Sequence, residues 1–304
     1  MDIETSTVDA KSGLDSEKIK TKEQARSGVI VRLNELGVVN CPDEIVDKLL
    51  MIGENSEFNL DSEMICEAYG NVLVALEARN LSTTPMSSKQ KQEGLLSAFL
   101  HDIGKAGPAS ASLDCQLSII KLFSVKNLDT SRYKYVGEVL EKYFPDVAEK
   151  MLEDLKEVGI GSQTTMRAFW NNHSWWTHSV LQKYPGDVSK RVDLIASSHH
   201  VTDGENPCGV LEDEVPIESK MIGTLEHYVD YLEERMLAII DKYQAALMRP
   251  EGGSTHEKAV RYLKNAFGKY KDDGVTNSII EIIDQLGKTD SLFPKTKSKY
   301  NRGT

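Results

Sequence analysis

The sequence predicts an all-α fold, and three observations carry that prediction. Apolar residues recur at helical spacing through most of the chain. No segment shows the alternation of a half-buried strand. Gly, Ser and Asn sit where the periodic runs stop, as helix ends require. A polar stretch without periodicity opens the chain. From about Ser16 the helical pattern begins, with Val29, Ile30, Val31, Leu33 and Leu36 ending at Gly37. Asp43 to Ile52 forms a second helix, stopped by Gly53, and Gly53–Ser56 reads as a break. Further helices are predicted near 61–80, 90–104, 114–124, 133–144, 146–157, 164–184, 188–199, 217–248 and 255–268. Ser254 and Glu257 have capping-box spacing before Ala259, Val260 and Leu263. Three regions result: a small helical region with a polar tail (1–57), a large helical domain (58–290) and a basic tail (291–304).

With 304 residues, 40% apolar and 27% charged, the chain can bury a core without disulfides. The net charge is −11, which excludes the basic stripes of sequence-independent nucleic-acid binding. No apolar run is long enough for a membrane span, and no signal peptide precedes the helices. Cys41, Cys66, Cys115 and Cys208 are widely spaced, without a CxxC pair. That fits a reducing compartment, and a cytoplasmic location is expected.

The most informative stretch runs from Leu95 to Lys105. Leu95, Leu96, Phe99, Leu100 and Ile103 make an apolar face that ends on His101-Asp102. A carboxylate in such surroundings needs a cation. Lys105 lies one turn beyond His101 and points the same way. Gly104 either leaves room for a ligand or caps the helix. Only seven histidines are present, and five of them are His101, His173, His178, His199 and His200. His199-His200 closes an apolar helix, and adjacent imidazoles can serve neighbouring metal ions. Asp241 is a lone acid in a densely apolar helix, hence a ligand candidate. Trp170, Trp175 and Trp176 either wall a base-binding pocket, with Trp176 touching the substrate, or belong to the core. His227, His256 and Glu212–Glu214 read as solvated.

These segments, in this order, resemble the HD-domain superfamily of metal-dependent phosphohydrolases, most closely its HD-GYP type. The resemblance covers roughly residues 60–285. It rests on His101-Asp102-Ile103-Gly104-Lys105, on Ser197-Ser198-His199-His200 with Asp203-Gly204 and Pro207, and on Ile239–Leu247 followed by Arg249-Pro250 and Ser254–Ala259. It implies a helical bundle holding two or more divalent ions, iron or manganese. His101, Asp102, His199, His200 and Asp241 are the implied ligands. His173 is the further histidine on spacing, with His178 the alternative. The upstream histidine of the family is missing or replaced here, with Glu67 the chemically preferable replacement and Tyr69 the other candidate in the same helix. The resemblance implies attack of an activated water on phosphorus, with Asp102 and Lys105 catalytic and Lys105 and Arg249 on the substrate. A nucleotide phosphodiester is the expected substrate, and no stable nucleic-acid partner is expected.

Three features depart from the family. Helices near 110–160 are inserted, Gly-Tyr-Pro is replaced by Glu205-Asn206-Pro207, and no histidine precedes His101. The lost motif and the added charge of Glu205 predict weak or no activity on cyclic di-GMP. The rival expectation is a binding or signalling module that kept the scaffold and lost turnover.

Overall fold

The computed structural model describes residues 22–54, 56–79, 86–125, 128–200, 232–248, 255–267, 274–289 and 291–293. Within these the fold is all-α, with no strand and one isolated bridge between Tyr135 and Thr165. No helix of the described residues is long and apolar enough to cross a membrane. Asp203–Pro207, Cys208, Glu212–Glu214, His227, Arg249-Pro250, Ser254 and the polar start of the chain lie outside the described residues.

The helices are α1 (22–35), α2 (Asp43–Glu54), α3 (Ser56–Ala78), α4 (Ser88–Leu100), α5 (Leu113–Phe123), α6 (Val136–Tyr143), α7 (Ala148–Lys156), α8 (Met166–Leu181), α9 (Lys190–Ser197), α10 (Leu232–Met248), α11 (His256–Phe267) and α12 (Val275–Lys288). A 3₁₀ turn, Ile103–Ala106, follows α4. Polar caps set the starts of the helices that build the site. Ser87 forms a capping box with Gln90 ahead of α4. Thr165 caps α8 through Ala168 N, and Ser189 caps α9 through Val192 N. Each such cap contributes about 1 kcal/mol.

Three apolar clusters hold the bundle. The first joins α3, α10, α11 and α12 through residues such as Val72, Leu237, Ile240, Leu263 and Ile283. The second joins α1, α2, α4, α8 and α9, with Leu33, Ile45 and Leu49 against Phe99, Leu100 and Val192. The N-terminal helices therefore share a core with the helices that carry the histidines. The third belongs to the inserted segment, where α5, α6 and α7 pack on α8 through Ile119, Leu140, Leu155 and Phe169.

Two elements differ from the sequence expectation. Helix α12 is additional to the helices expected, although it buries Ile279, Ile280, Ile282 and Ile283. Its Ile-Ile pairs separated by one residue lie on one helix face, a short pattern that carries little periodic signal by itself. The start of the expected basic tail is also packed, since Leu292 is buried and Asn71 Nδ2 donates to the carbonyls of Ser291 and Leu292.

Candidate metal centre

Helix α4 ends at Leu100, and after His101-Asp102 the chain tightens into the 3₁₀ turn, which keeps Ile103 and Ala106 buried. The turn lies against α8 at Gly104. A Cβ there would stand 1.9 Å from the carbonyl oxygen of His173 and 2.5 Å from Thr177 N. Gly104 thus serves helix approach, neither of the two roles expected from the sequence. Gly104 N donates to Thr177 Oγ1 at 3.1 Å, and that hydroxyl donates to His101 O at 3.0 Å. From the other side, the buried Lys48 of α2 donates to the carbonyls of Ala106, Gly107 and Pro108 at 3.0, 3.0 and 3.2 Å. Burial lowers its pKa to about 8.

This frame brings His101 and Asp102 against His173 of α8, His199 and His200 beyond α9, and Asp241 of α10. His173 Nε2 lies 3.0 Å from His199 Nε2 and 3.0 Å from His200 Nε2. It lies 3.3 Å from Asp102 Oδ1, and His101 Nε2 lies 3.4 Å from Asp102 Oδ2 and 3.9 Å from Asp241 Oδ1. Two groups have ligand atoms all within 4.8 Å of one another: His101, Asp102 and His199, and His173, His199 and His200. Ligands on one ion at bonds of about 2.0–2.2 Å stand roughly 3.0–3.5 Å apart at tetrahedral or right angles, close to the spacings observed here.

The ring orientations have a local cause. The last carbonyls of a helix lack intrahelical partners. His101 Nδ1 donates to Ala98 O at 2.8 Å, and His199 Nδ1 donates to Ala196 O at 2.6 Å, each three residues back. His173 Nδ1 donates likewise to Trp170 O. Three imidazoles thus spend their N–H on the backbone and turn the Nε2 lone pair inward. His101 Nε2 is fully buried and has no hydrogen-bond partner. The His173 and His199 Nε2 atoms oppose lone pair to lone pair.

Electrostatics disfavour a proton on His199 and on His200. Burial, with His101 and His173 nearby, holds His199 well below the usual imidazole range. Burial, Lys242 and His199 do the same to His200. Burial alone would raise the Asp102 carboxyl, but His101, Lys105 and His173 together hold it well below the carboxylate range. His199 and His200 are thus neutral imidazoles beside an ionised carboxylate. Such a donor set suits a divalent transition metal.

Several expected residues stand elsewhere. His178 is not in the centre: its Nδ1 is 2.9 Å from both carboxylate oxygens of Asp193. Glu67 joins neither ligand group. It is half-buried, and its Oε2 is buried without a hydrogen-bond partner. Trp176 packs on Phe169 in the inserted cluster, with ring centroids 6.0 Å apart, and is core rather than pocket wall. Lys105 pairs with Asp102. Arg249 lies outside the described residues. Sequence reasoning missed Lys242, whose Nζ is 2.8 Å from His200 Nδ1 and 3.5 Å from Asp241 Oδ2. Its signal was a second charge inside the same apolar run. His256, expected to be solvated, accepts from Tyr243 OH at 2.6 Å and lies 2.8 Å from Asp284 Oδ1.

No family model, curated protein or solved structure matches the chain. Function must be argued from the centre itself.

Proposed function

We propose that the chain is a metal-dependent phosphohydrolase, a phosphodiesterase acting on a nucleotide, with iron or manganese held by His101, Asp102, His173, His199 and Asp241. One observation carries the reading: inward-turned imidazole nitrogens, one of them orphaned and buried, face each other around an ionised carboxylate. Packing alone gives no reason for such an arrangement, because every unmatched buried lone pair costs about 1–3 kcal/mol. A divalent ion bound there polarises a phosphoryl oxygen and acidifies a water at neutral pH. The chain's own residues prepare for this. Lys105 and the surrounding imidazoles keep Asp102 ionised, so it can ligate without first shedding a proton. The backbone carbonyls of Ala98, Trp170 and Ala196 fix the ligand tautomers in advance. Phosphoryl chemistry, rather than another hydrolysis, is favoured by the ordered resemblance to HD-domain segments and by the Lys105 ammonium beside Asp102.

Elemental analysis after anaerobic purification, followed by assay on bis(p-nitrophenyl) phosphate with manganese or ferrous iron, tests the reading. Bound transition metal and metal-dependent release of nitrophenol are expected, with weak or no turnover of cyclic di-GMP. A protein that neither retains nor takes up metal would sink it. Metal without hydrolysis of any phosphoester would instead mark the chain as a binding module that has lost turnover.

A further inference from the structure

Helix α2 buries Ile45, Val46, Leu49 and Ile52, and among these apolar residues it buries one charge, Lys48, at 1% exposure. Its Nζ reaches the loop that leaves the 3₁₀ turn and donates to three consecutive carbonyls, those of Ala106, Gly107 and Pro108. An ammonium has three donors, so donors and acceptors match one to one. The loop is shaped for this convergence. Gly107 has a φ of +78°, and a Cβ there would lie 2.7 Å from Ile119 Cδ1 of α5, so a side chain is excluded by backbone and by space together. Ala109 extends the anchorage. Its N–H donates to Ser179 Oγ at 3.2 Å, and its carbonyl accepts from Lys183 Nζ at 3.4 Å. Glu44 of α2 in turn accepts from Lys183 at 3.3 Å and from Tyr184 OH at 2.7 Å.

Stability alone does not account for Lys48. A buried charge is costly to desolvate, and an apolar side chain of similar volume often serves a core as well or better. What a buried ammonium with three fixed acceptors does supply is one conformation of the loop. That loop closes the segment on which the metal centre depends. Lys105 N donates to Asp102 O at 2.9 Å, Gly107 N donates to Gly104 O at 2.8 Å, and the Lys105 ammonium pairs with the Asp102 carboxylate. The segment is thus pinned twice, by Thr177 at Gly104 and by Lys48 at Ala106–Pro108. Lys105 stands between the two pins. We propose that Lys48 is a positioning residue of the metal centre, reaching from the N-terminal helices to hold the Ala106–Pro108 loop and, through it, the place of the Lys105 ammonium. Resting on the phosphohydrolase reading, this makes α2 part of the reaction's machinery. Lys48 itself touches none of the proposed ligands. Its leverage is geometric, since a displacement of about 1 Å far from the chemistry can cost on the order of 100-fold in rate.

Two measurements on the full chain test this, and the first is independent of activity. Amide hydrogen exchange of metal-free Lys48→Met reads the loop itself. The amides of Lys105 and Gly107, which close the turn, should exchange roughly tenfold faster than in the wild type, while amides inside α4 and α8 keep their protection. Hydrolysis of bis(p-nitrophenyl) phosphate by the manganese-loaded protein reads the consequence. Lys48→Met should retain its metal and lose about 10- to 100-fold in kcat/KM. Lys48→Arg, which keeps the charge and the donors, should recover most of that loss. In a Lys105→Met background, Lys48→Met should cost less than about twofold, because its effect passes through a group already removed. A merely structural role predicts the same loss in both backgrounds. Should Lys48→Met fail to fold, Gly107→Ala attacks the same loop from its other side, and the same faster exchange and the same dependence on Lys105 are expected. Unchanged exchange at Lys105 and Gly107, or additive losses, would overturn the proposal. Wild-type protein that hydrolyses no phosphoester would sink the phosphohydrolase reading and the catalytic role of Lys48 with it. The exchange data still separate that failure from an error about the anchor.

Discussion

Helix α10 carries two polar clusters, one buried and one that reaches the surface at Lys288, and they are built on opposite rules. On one side, Asp241 reaches the histidine centre, where His101 Nε2 has no partner and His173 and His199 oppose their lone pairs at 3.0 Å. On the other, Tyr243 opens a chain in which each donor meets an acceptor. Its hydroxyl donates to His256 Nδ1 at 2.6 Å, His256 Nε2 donates to Asp284 Oδ1 at 2.8 Å, and Lys288 Nζ donates to Asp284 Oδ2 at 2.8 Å. Both clusters contain histidine and aspartate, so composition does not separate them. Satisfaction does. A matched chain ties helices together, here α10, α11 and α12. A mismatched one waits for a cation, because buried polar groups are left unpaired only for a reason. Gly287 makes the matched chain possible, since a Cβ there would lie 2.6 Å from the His256 ring and 2.7 Å from the Tyr243 hydroxyl.

The largest expected effect breaks the first cluster and spares the second. Asp102→Ala should lower metal affinity by more than ~100-fold, beyond what loss of an outer partner alone costs. Helicity should persist, because Asp102 lies in the turn after α4 rather than within a helix and Lys105 lies near the surface, at 17% exposure. Asp284→Ala, by contrast, should leave metal content unchanged and lower thermal stability. Elemental analysis and circular dichroism on the two variants check the contrast, and equal metal loss in both would erase it.

Acid should next strike the histidine centre. His199 is held below its unfolded range by burial with His101 and His173 beside it, and His200 by burial with Lys242 and His199 beside it. Below a pH of about 6.5 the unfolded chain therefore binds protons that the folded one refuses, and stability falls as pH falls. Two such groups give a slope of at most about 2.7 kcal/mol per pH unit. Asp102, whose folded pKa is depressed, adds its loss only below about pH 4, after the histidine window has opened. Denaturant titrations of the metal-free protein at pH 7, 6 and 5 measure the slope, and His199→Leu should roughly halve it. A flat profile would mean that the imidazoles are solvated.

Much of this centre was legible in the sequence, for a physical reason. His101-Asp102, His199-His200 and Asp241 each interrupt an apolar helix face, and such interruptions are costly enough to be noticed one residue at a time. His173 and His178 were harder to separate, because five residues are more than one turn and either could face inward. The pairing of His178 with Asp193, across fifteen positions, decides the matter only in three dimensions. Lys48 and His256 were illegible for the same reason, and Lys242 nearly so. Each is an ordinary charged or polar residue whose partners come from other helices or from backbone carbonyls. Trp176 misled in the opposite direction, because an aromatic cluster says nothing of whether it lines a cavity or fills one.

The smallest expected effect tests whether the two clusters are independent at all. Tyr243→Phe keeps the ring, which stacks on Phe293 at 6.0 Å between centroids, and removes one hydroxyl. Burial pushes the Tyr243 phenol up to about 12, so in the wild type it is a neutral donor throughout the working range. Without it, His256 Nδ1 loses its donor in a space that Gly287 keeps too tight for a replacement group. The expected cost is about 1–2 kcal/mol, a lost hydrogen bond plus an unpaired acceptor. Calorimetry should register it as a melting point lower by a few degrees, roughly 2–4 °C for a domain of this size class. Metal content should not move, because Asp241 meets the histidine centre from the other side of α10. Loss of metal in this variant would show that the matched chain sets the register of α10, and that the two clusters form one cooperative unit.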